Sequence, residues 1–551
     1  MQIIIPMSGF GERFRQAGYD VPKPLIEMEG KPIIAHVADM FPGENDFIFV
    51  CNRDHLEDPG WRMREVLEEI RPLGKIVPID SHKLGPVWAV LQAENLVARD
   101  QPVAVNYCDF TCYWDYSHFK KFTELSACDG AIPCYRGFHP HTIWSNYYAY
   151  VKHTDGWIEA IQEKQPYTDD PRSEFASSGT YYFKTGALML EYFKKTVELE
   201  LKVNNEYYVS MVYDPMLRDG KKIAVYDLQH FMQWGTPGDV VDYNQYSGMF
   251  RDILKENEHG DDGVARTIVL PMVGEGKRFQ TVGYEDPKPL VEVSGKPMFL
   301  QALNDLPRGK RSILVLRKDL PSVERIIASA EERPGVETLM LDGLTSGQAS
   351  TCLEAMAAVE EGPILISACD HGLLYDETAY LELESAPEVD VIVWVKRGHY
   401  AAFLRPEMYG WVDAEENGAI RGVSVKKALG HPEKDPIVIG TFTFKKKEYF
   451  LRSYERMVGR NARVNNEFYV DMMINDALEL GLRCRIFDIQ HYLCWGTPEE
   501  YETYRYWQSC FHKWDSHPYR YELDVNLNRN SGIDWDAKSR EYEPFTPDAR
   551  Q

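Results

Sequence analysis

Short apolar runs recur along this chain, separated by stretches whose apolar positions repeat every three or four residues. In the first half, IIIPM from Ile3, DFIFVC from Asp46, KIVPI from Lys75 and PVAVNY from Pro102 are β-branched or aromatic and too short for helices, so they read as buried strands. WRMREVLEEI from Trp61 and GPVWAVLQAENLVA from Gly85 carry a helical period and read as amphipathic helices. Strands alternating with helices predict an α/β sandwich built on a largely parallel sheet. In such sheets ligands bind at the C-terminal strand ends, and the glycines of this chain fall in the first such loop.

The pattern is written twice. IIIPMSGFGERFRQAGYDVPKPLIEMEGKP at 3–32 answers IVLPMVGEGKRFQTVGYEDPKPLVEVSGKP at 268–297. Gly9, Arg13 and Lys23 match Gly274, Arg278 and Lys288, each 265 positions on; Asp109, Glu206 and Gly235 match Asp370, Glu467 and Gly496, each 261 on. A period near half the chain implies two homologous domains and excludes a solenoid, whose period would be roughly 20–50 residues. The expected organisation is a first domain over 1–250, a polar linker over 251–265, a second domain over 266–510 and a C-terminal extension over 511–551, draped on the second domain. At 551 residues the chain is too long for one core, and two domains of about 250 residues each suit it.

Composition narrows the partners. A formal charge of −24 argues against nucleic acid, whose phosphate backbone calls for a basic face. No apolar run reaches the roughly 18 residues of a membrane span, and no signal peptide is read at the N-terminus, so a cytoplasmic location is expected. The ten cysteines are scattered; Cys108 and Cys112 have no CxxC spacing and no second pair, so free thiols are expected instead of zinc ligands. Homo-oligomerisation stays open.

The repeated segments are also the chemical ones. After the first strand of each copy come two glycines, Gly9 and Gly11 or Gly274 and Gly276, where a tight turn can present N–H groups to phosphate oxygens. Arg13 and Arg278 add a bidentate cation, Lys23 and Lys288 a point charge. The loop is neither a GxGxxG dinucleotide fingerprint nor a Walker A motif. Further on, an apolar strand ends in one carboxylate, Asp109 in VNYCDF and Asp370 in ISACDH, a ligand suited to Mg²⁺ that also binds nucleotide phosphates. A helix N-cap is the other reading of such an aspartate, but its recurrence in register with the glycine loop favours the metal.

Together, the G-x-G-x-R loop, the PKPL lysine, the strand-end aspartate and the late GTP block resemble the sugar-phosphate nucleotidyltransferases, over nearly all of both halves, in wording closest to branches associated with bacterial capsule and surface polysaccharide. The resemblance implies two Rossmann-like α/β/α domains with mixed, mainly parallel sheets. It also implies transfer of a nucleotidyl group from an NTP, CTP being favoured, to a sugar phosphate or other small phosphorylated acceptor, with release of pyrophosphate and one or two Mg²⁺ per site. Gly9, Gly11, Gly274 and Gly276 would hold the triphosphate with Arg13 and Arg278. Lys23 and Lys288 would contact phosphates in the transition state, Gly85 and Gly347 would border the base, and Asp109 and Asp370 would bind the metal. Lys164, Lys426, Glu206 and Glu467 would face the acceptor.

The chain departs from that family where a second metal aspartate is common: Gln233 and Cys494 stand there. Val425 stands where Glu163 does and Gln348 where Pro86 does, so the two pockets are expected to differ. One alternative is a catalytic half with a regulatory or scaffold twin. Another, a glycosyltransferase using nucleotide sugars, is disfavoured because each metal strand carries a single acid.

Overall fold

The computed structural model describes residues 1–255, 263–535 and 538; most of the expected linker, and 536, 537 and 539–551 of the expected extension, lie outside the described residues. The described chain forms two compact units, one comprising Met1–Asn244 and Ser509–His517, the other Gln245–Gln508 and Pro518–Trp535. The stretch expected as one extension over the second half is therefore divided. Residues 511–517 group with the first unit, where Trp514 packs on His36 and Trp234, and 518–535 with the second. Phe511 and Trp514 also both pack on Tyr243 of the first unit, which sequence order does not reveal.

In the first unit the strand Gln2–Met7 is buried along its whole length. It pairs in parallel with Phe47–Asn52 and with Val103–Asn106, and Lys75–Ile79 extends that parallel edge. Burial on both faces explains the unbroken Ile3-Ile4-Ile5 run, each fully buried side chain stabilising the fold by roughly 1.5–3 kcal/mol. Beyond Val103–Asn106 the ten-stranded sheet turns mixed. Thr180–Phe183 runs antiparallel to both of its neighbours, Val103–Asn106 and Gly130–Tyr135. Ile223–Leu228, parallel to Gly130–Tyr135, then leads to the antiparallel strands Trp157–Glu163, Ala149–Thr154 and Phe175–Ser177.

The second unit repeats the plan. Val336–Leu341, Arg311–Arg317, Thr267–Pro271 and Ile364–Ile366 are parallel neighbours, followed by Ile437–Phe444, Val391–Lys396 and Cys484–Asp488. Alternate residues of its first strand enter different cores. Val269 joins the helix Val470–Glu479 in one cluster, while Ile268 and Leu270 join Phe299 and Ile326 in another. Helices thus cover both sheet faces, and the architecture is a Rossmann-like α/β/α sandwich.

The predicted strands stand where the apolar runs lie, except that Lys75–Ile79, expected to be buried, is only partly covered because it ends the sheet, while the helices are shorter than their patterns suggest. The GPVWAVLQAENLVA stretch forms a helix over Pro86–Leu91 and a 3₁₀ turn over Glu94–Leu96, because the helix tightens into i→i−3 bonds at Gln92 and Ala93. Two small ribbons complete the plan for function: Phe110–Tyr113 pairs with His230–Gln233, and His371–Leu374 with His491–Cys494. Each joins the strand-end aspartate to the late GTP block, with Trp234 N donating to Asp109 O and Trp495 N to Asp370 O, both at 2.9 Å.

Candidate functional site

The glycine loop leaves the buried first strand, and Gly11 takes φ 64° as the residue before the helix Glu12–Gln16; Gly276 repeats this with φ 62° before Lys277–Thr281. A left-handed φ at that point suits glycine and frees the first amides of the helix. The next segment turns back as a 3₁₀ helix, Lys23–Leu25 or Lys288–Leu290, each with proline just inside its start. It delivers a lysine to the strand-end aspartate: Lys23 Nζ lies 2.7 Å from Asp109 Oδ2, and Lys288 Nζ 2.5 Å from Asp370 Oδ2. Lys288 also donates to Gly496 O at 2.7 Å.

These pairs set the electrostatics. Burial works against the ammonium charge of Lys23 and Lys288, but Asp109 and Asp370 outweigh it and hold both lysines above their ordinary range. Burial also opposes the charge on Asp370, yet Lys288 and the neighbouring His371 hold that carboxyl well below the usual carboxylate range.

The loops assigned to the base are built against the Asn-Asn-Glu segment. Gly85 (φ 86°, ψ 179°) and Gly347 (φ 123°, ψ 178°) occupy a backbone region that is essentially glycine-only. A Cβ on Gly85 would stand 2.8 Å from Tyr207 N, and one on Gly347 2.6 Å from Phe468 N. The facing segment is a two-residue turn: Val203 and Glu206 exchange both backbone bonds at 3.0 Å, and Asn204 and Asn205 carry φ 51° and 66°. Asn465 and Asn466 repeat it with 51° and 65°. Positive φ at both central residues is the type I′ signature, for which asparagine is favoured. The turn fixes where Glu206 and Glu467 begin.

The two lysines expected at the acceptor sit just past a strand in the left-handed region, Lys164 at φ 61° and Lys426 at 58°, where non-glycine backbone is strained. Their amides are tied to Tyr148 O at 2.8 Å and Tyr409 O at 2.9 Å. Lys164 Nζ donates to Tyr208 OH at 2.7 Å, and Tyr208 in turn donates to Glu206. In the second unit Lys426 Nζ lies 5.3 Å from the centre of the Tyr469 ring.

Two cavities of the first unit meet at this constellation. One of about 220 Å³ is lined by Gly9, Gly11, Lys23, Pro86 and Asp109. A larger one of about 650 Å³ is lined by Arg13, Lys164, Glu163, Tyr148, Asp109 and Gln233. Tyr107, Asp109 and Tyr208 line both, so the aspartate stands at their junction. Arg13 falls on the larger cavity, while Gly85 and Glu206 shape the walls through Pro86 and Tyr208. Tyr147, Tyr148 and Phe231 also line the larger cavity, and Tyr135 stacks on Phe231.

A hard carboxylate oxygen at the mouth of two cavities suits Mg²⁺ that takes its remaining ligands from phosphates and water. Among the described residues no group of three or more His, Cys, Asp or Glu is placed to cage a metal. The described cysteines are free thiols, in keeping with their scatter. One carboxylate near each aspartate escaped the sequence reading. Asp239 Oδ2 accepts from Thr236 N and Oγ1 at 2.7 Å and from Gln233 Nε2 at 2.9 Å; Glu500 accepts from Thr497 N and Oγ1 at 2.9 Å. The Thr-x-x-Asp and Thr-x-x-Glu capping boxes were the signal that could have found them.

Residues 2–245 match the family model described as nucleotidyl transferase, and residues 270–445 that of the MobA-like NTP transferase domain. The mannose-1-phosphate guanyltransferase of Schizosaccharomyces pombe is 23% identical over 258 residues, covering 44% of this chain and 62% of that protein. The mannose-1-phosphate guanylyltransferase catalytic subunit beta of Xenopus tropicalis is 26% identical over 253 residues, covering 44% and 63%. The chain thus spans less than two thirds of these relatives' length. A solved nucleoside-diphosphate-sugar pyrophosphorylase of Vibrio cholerae RC9 aligns at 20% identity with a TM-score of 0.36, over 43% of this chain and 98% of that one. With the glycine loop, lysine and aspartate assembled alike in both units, the chain belongs to the NTP-transferase family and carries two such domains in tandem.

Proposed function

We propose that the chain transfers a nucleotidyl group from an NTP to a phosphorylated small acceptor, releasing pyrophosphate, at two separate sites. The observation that carries this reading is the lysine–aspartate pair beside the glycine loop, present with the same geometry in both units. An acceptor phosphate oxygen would attack the α-phosphorus in line as the bond to pyrophosphate breaks. That oxygen is already ionised at neutral pH, so no general base is required, and positioning and charge neutralisation dominate. The loop amides and Arg13 would hold the triphosphate, and Lys23 would leave Asp109 to meet the charge developing on phosphate oxygens. Lys164 would grip the acceptor phosphate and Glu206 act through Tyr208. Mg²⁺, held by Asp109 or Asp370, would neutralise phosphate charge when bound.

The relatives named for mannose 1-phosphate and guanyl transfer support a sugar 1-phosphate acceptor and do not favour CTP. A supply of activated precursors for surface polysaccharide, in the cytoplasm, fits this chemistry.

The test is pyrophosphate release by the full chain and by its Lys23→Ala, Lys288→Ala and doubly substituted forms. Four NTPs are offered with mannose 1-phosphate, glucose 1-phosphate, phosphocholine or glycerol phosphate. Each single variant should lose one set of pairings and the double variant all of them. Silence of the unaltered chain with every pairing would sink the reading, and one active unit with a silent, nucleotide-binding twin would favour a regulatory second domain.

A further inference from the structure

The second unit has Val425 where the first has Glu163, as if its acceptor pocket had lost a carboxylate. In the first unit Glu163 ends its strand opposite Ala149 and accepts from Ser210 Oγ at 2.6 Å. In the second, Val425 ends the equivalent strand opposite Gly410, and the position equivalent to Ser210 is Asp471, in the first turn of the helix Val470–Glu479. The Asp471 carboxylate lies directly over Gly410. A Cβ there would collide with Asp471 Oδ2 and stand 3.4 Å from its Cγ. Gly410 lies outside the left-handed region, so space, not backbone conformation, calls for glycine. Three positions have therefore changed together: Glu163, Ala149 and Ser210 against Val425, Gly410 and Asp471.

We propose that Asp471 is the acceptor carboxylate of the second site, supplied from the helix where the first site supplies Glu163 from the strand. The assignment rests on the reading that the Lys164 and Lys426 segments bind the acceptor. Burial pushes the Glu163 carboxyl up and that of Asp471 up to about 6, against hydrogen bonds from Ser210 and from the Asp471 backbone and the charge of the neighbouring Lys164 or Lys426. Glu163 is already engaged by Ser210, whereas among the described residues no side chain donates to Asp471. Its carboxylate is left to accept a hydrogen bond from a hydroxyl of the phosphorylated acceptor. The two sites would then grip that hydroxyl from different directions and select different acceptors.

The experiment uses the full chain carrying Lys23→Ala, so that the second site is read alone. Pyrophosphate release is followed with the four NTPs and mannose 1-phosphate, glucose 1-phosphate or glycerol phosphate, and thermal melting checks folding. D471N and D471S should each raise the acceptor KM about tenfold to a hundredfold, as expected for losing one charged hydrogen bond, with the NTP KM unchanged. Adding V425E and G410A to D471S should bring the acceptor KM back. An unchanged acceptor KM, an equal rise in the NTP KM, no recovery on regrafting, or loss of cooperative melting in both variants overturns the assignment. No pyrophosphate from the Lys23→Ala chain itself marks instead the failure of the transferase reading for the second unit, and the assignment falls with it.

Discussion

The smallest unit of the proposed chemistry is one ammonium on one carboxylate, Lys23 on Asp109 and Lys288 on Asp370. In the proposed reaction, a half-buried cation placed where phosphate charge shifts would be a preorganised donor. Lys23→Ala should therefore lower first-site turnover by roughly 10²–10³-fold, measured in the Lys288→Ala background. Near-normal turnover there would remove Lys23 from the mechanism. Gly85 and Gly347 act through shape. Alanine at either position adds backbone strain on the order of 1–3 kcal/mol and drives a methyl into Tyr207 or Phe468. Gly85→Ala should lower the melting midpoint and raise the first-site NTP KM, and a silent substitution would mean the loop has another conformation in solution.

Between residue and domain, the informative element is the Val203–Glu206 turn with its copy at Val464–Glu467. Both asparagines of each turn have positive φ, which glycine adopts freely and a β-branched residue resists. Asn205→Gly should thus keep both stability and acceptor KM. Asn205→Val should cost about 1–2 kcal/mol by chemical denaturation and raise the acceptor KM through displaced Glu206. Equal behaviour of the two variants would show that the turn does not place the glutamate. The two-stranded ribbons are the other element of consequence, because they bring residues near 109 and 234 side by side, as they do those near 370 and 495.

At the scale of the whole molecule, each unit keeps a buried histidine uncharged. Burial pushes His36 and His399 down to about 4 from an ordinary 6.5. As pH falls from about 6.5 to about 4 the unfolded chain takes up protons that the folded chain refuses, so stability drops through that window and levels off below it. Each histidine accounts for at most about 3 kcal/mol of that drop. Melting curves across pH 7 to 4 should show His36→Gln losing less stability than the unaltered chain. Parallel curves would mean that His36 is protonated in the fold.

Sequence alone determined the strands, the doubling, the glycine loops, Lys23, Lys288 and the strand-end aspartates. A buried strand must be apolar throughout, a phosphate loop needs glycine at fixed steps, and the repeat printed both patterns twice, at offsets of 265 and 261 residues. The length of the helices, the division of 511–535 between the units, the Tyr208 link and the capping carboxylates Asp239 and Glu500 came only from the tertiary structure. Asp471 is the sharpest case. Positions 410, 425 and 471 lie on two strands and a helix, and no local period relates them. Only strand register and the missing Cβ of Gly410 bring them together, since a carboxylate can be supplied from any element that reaches the same point in space.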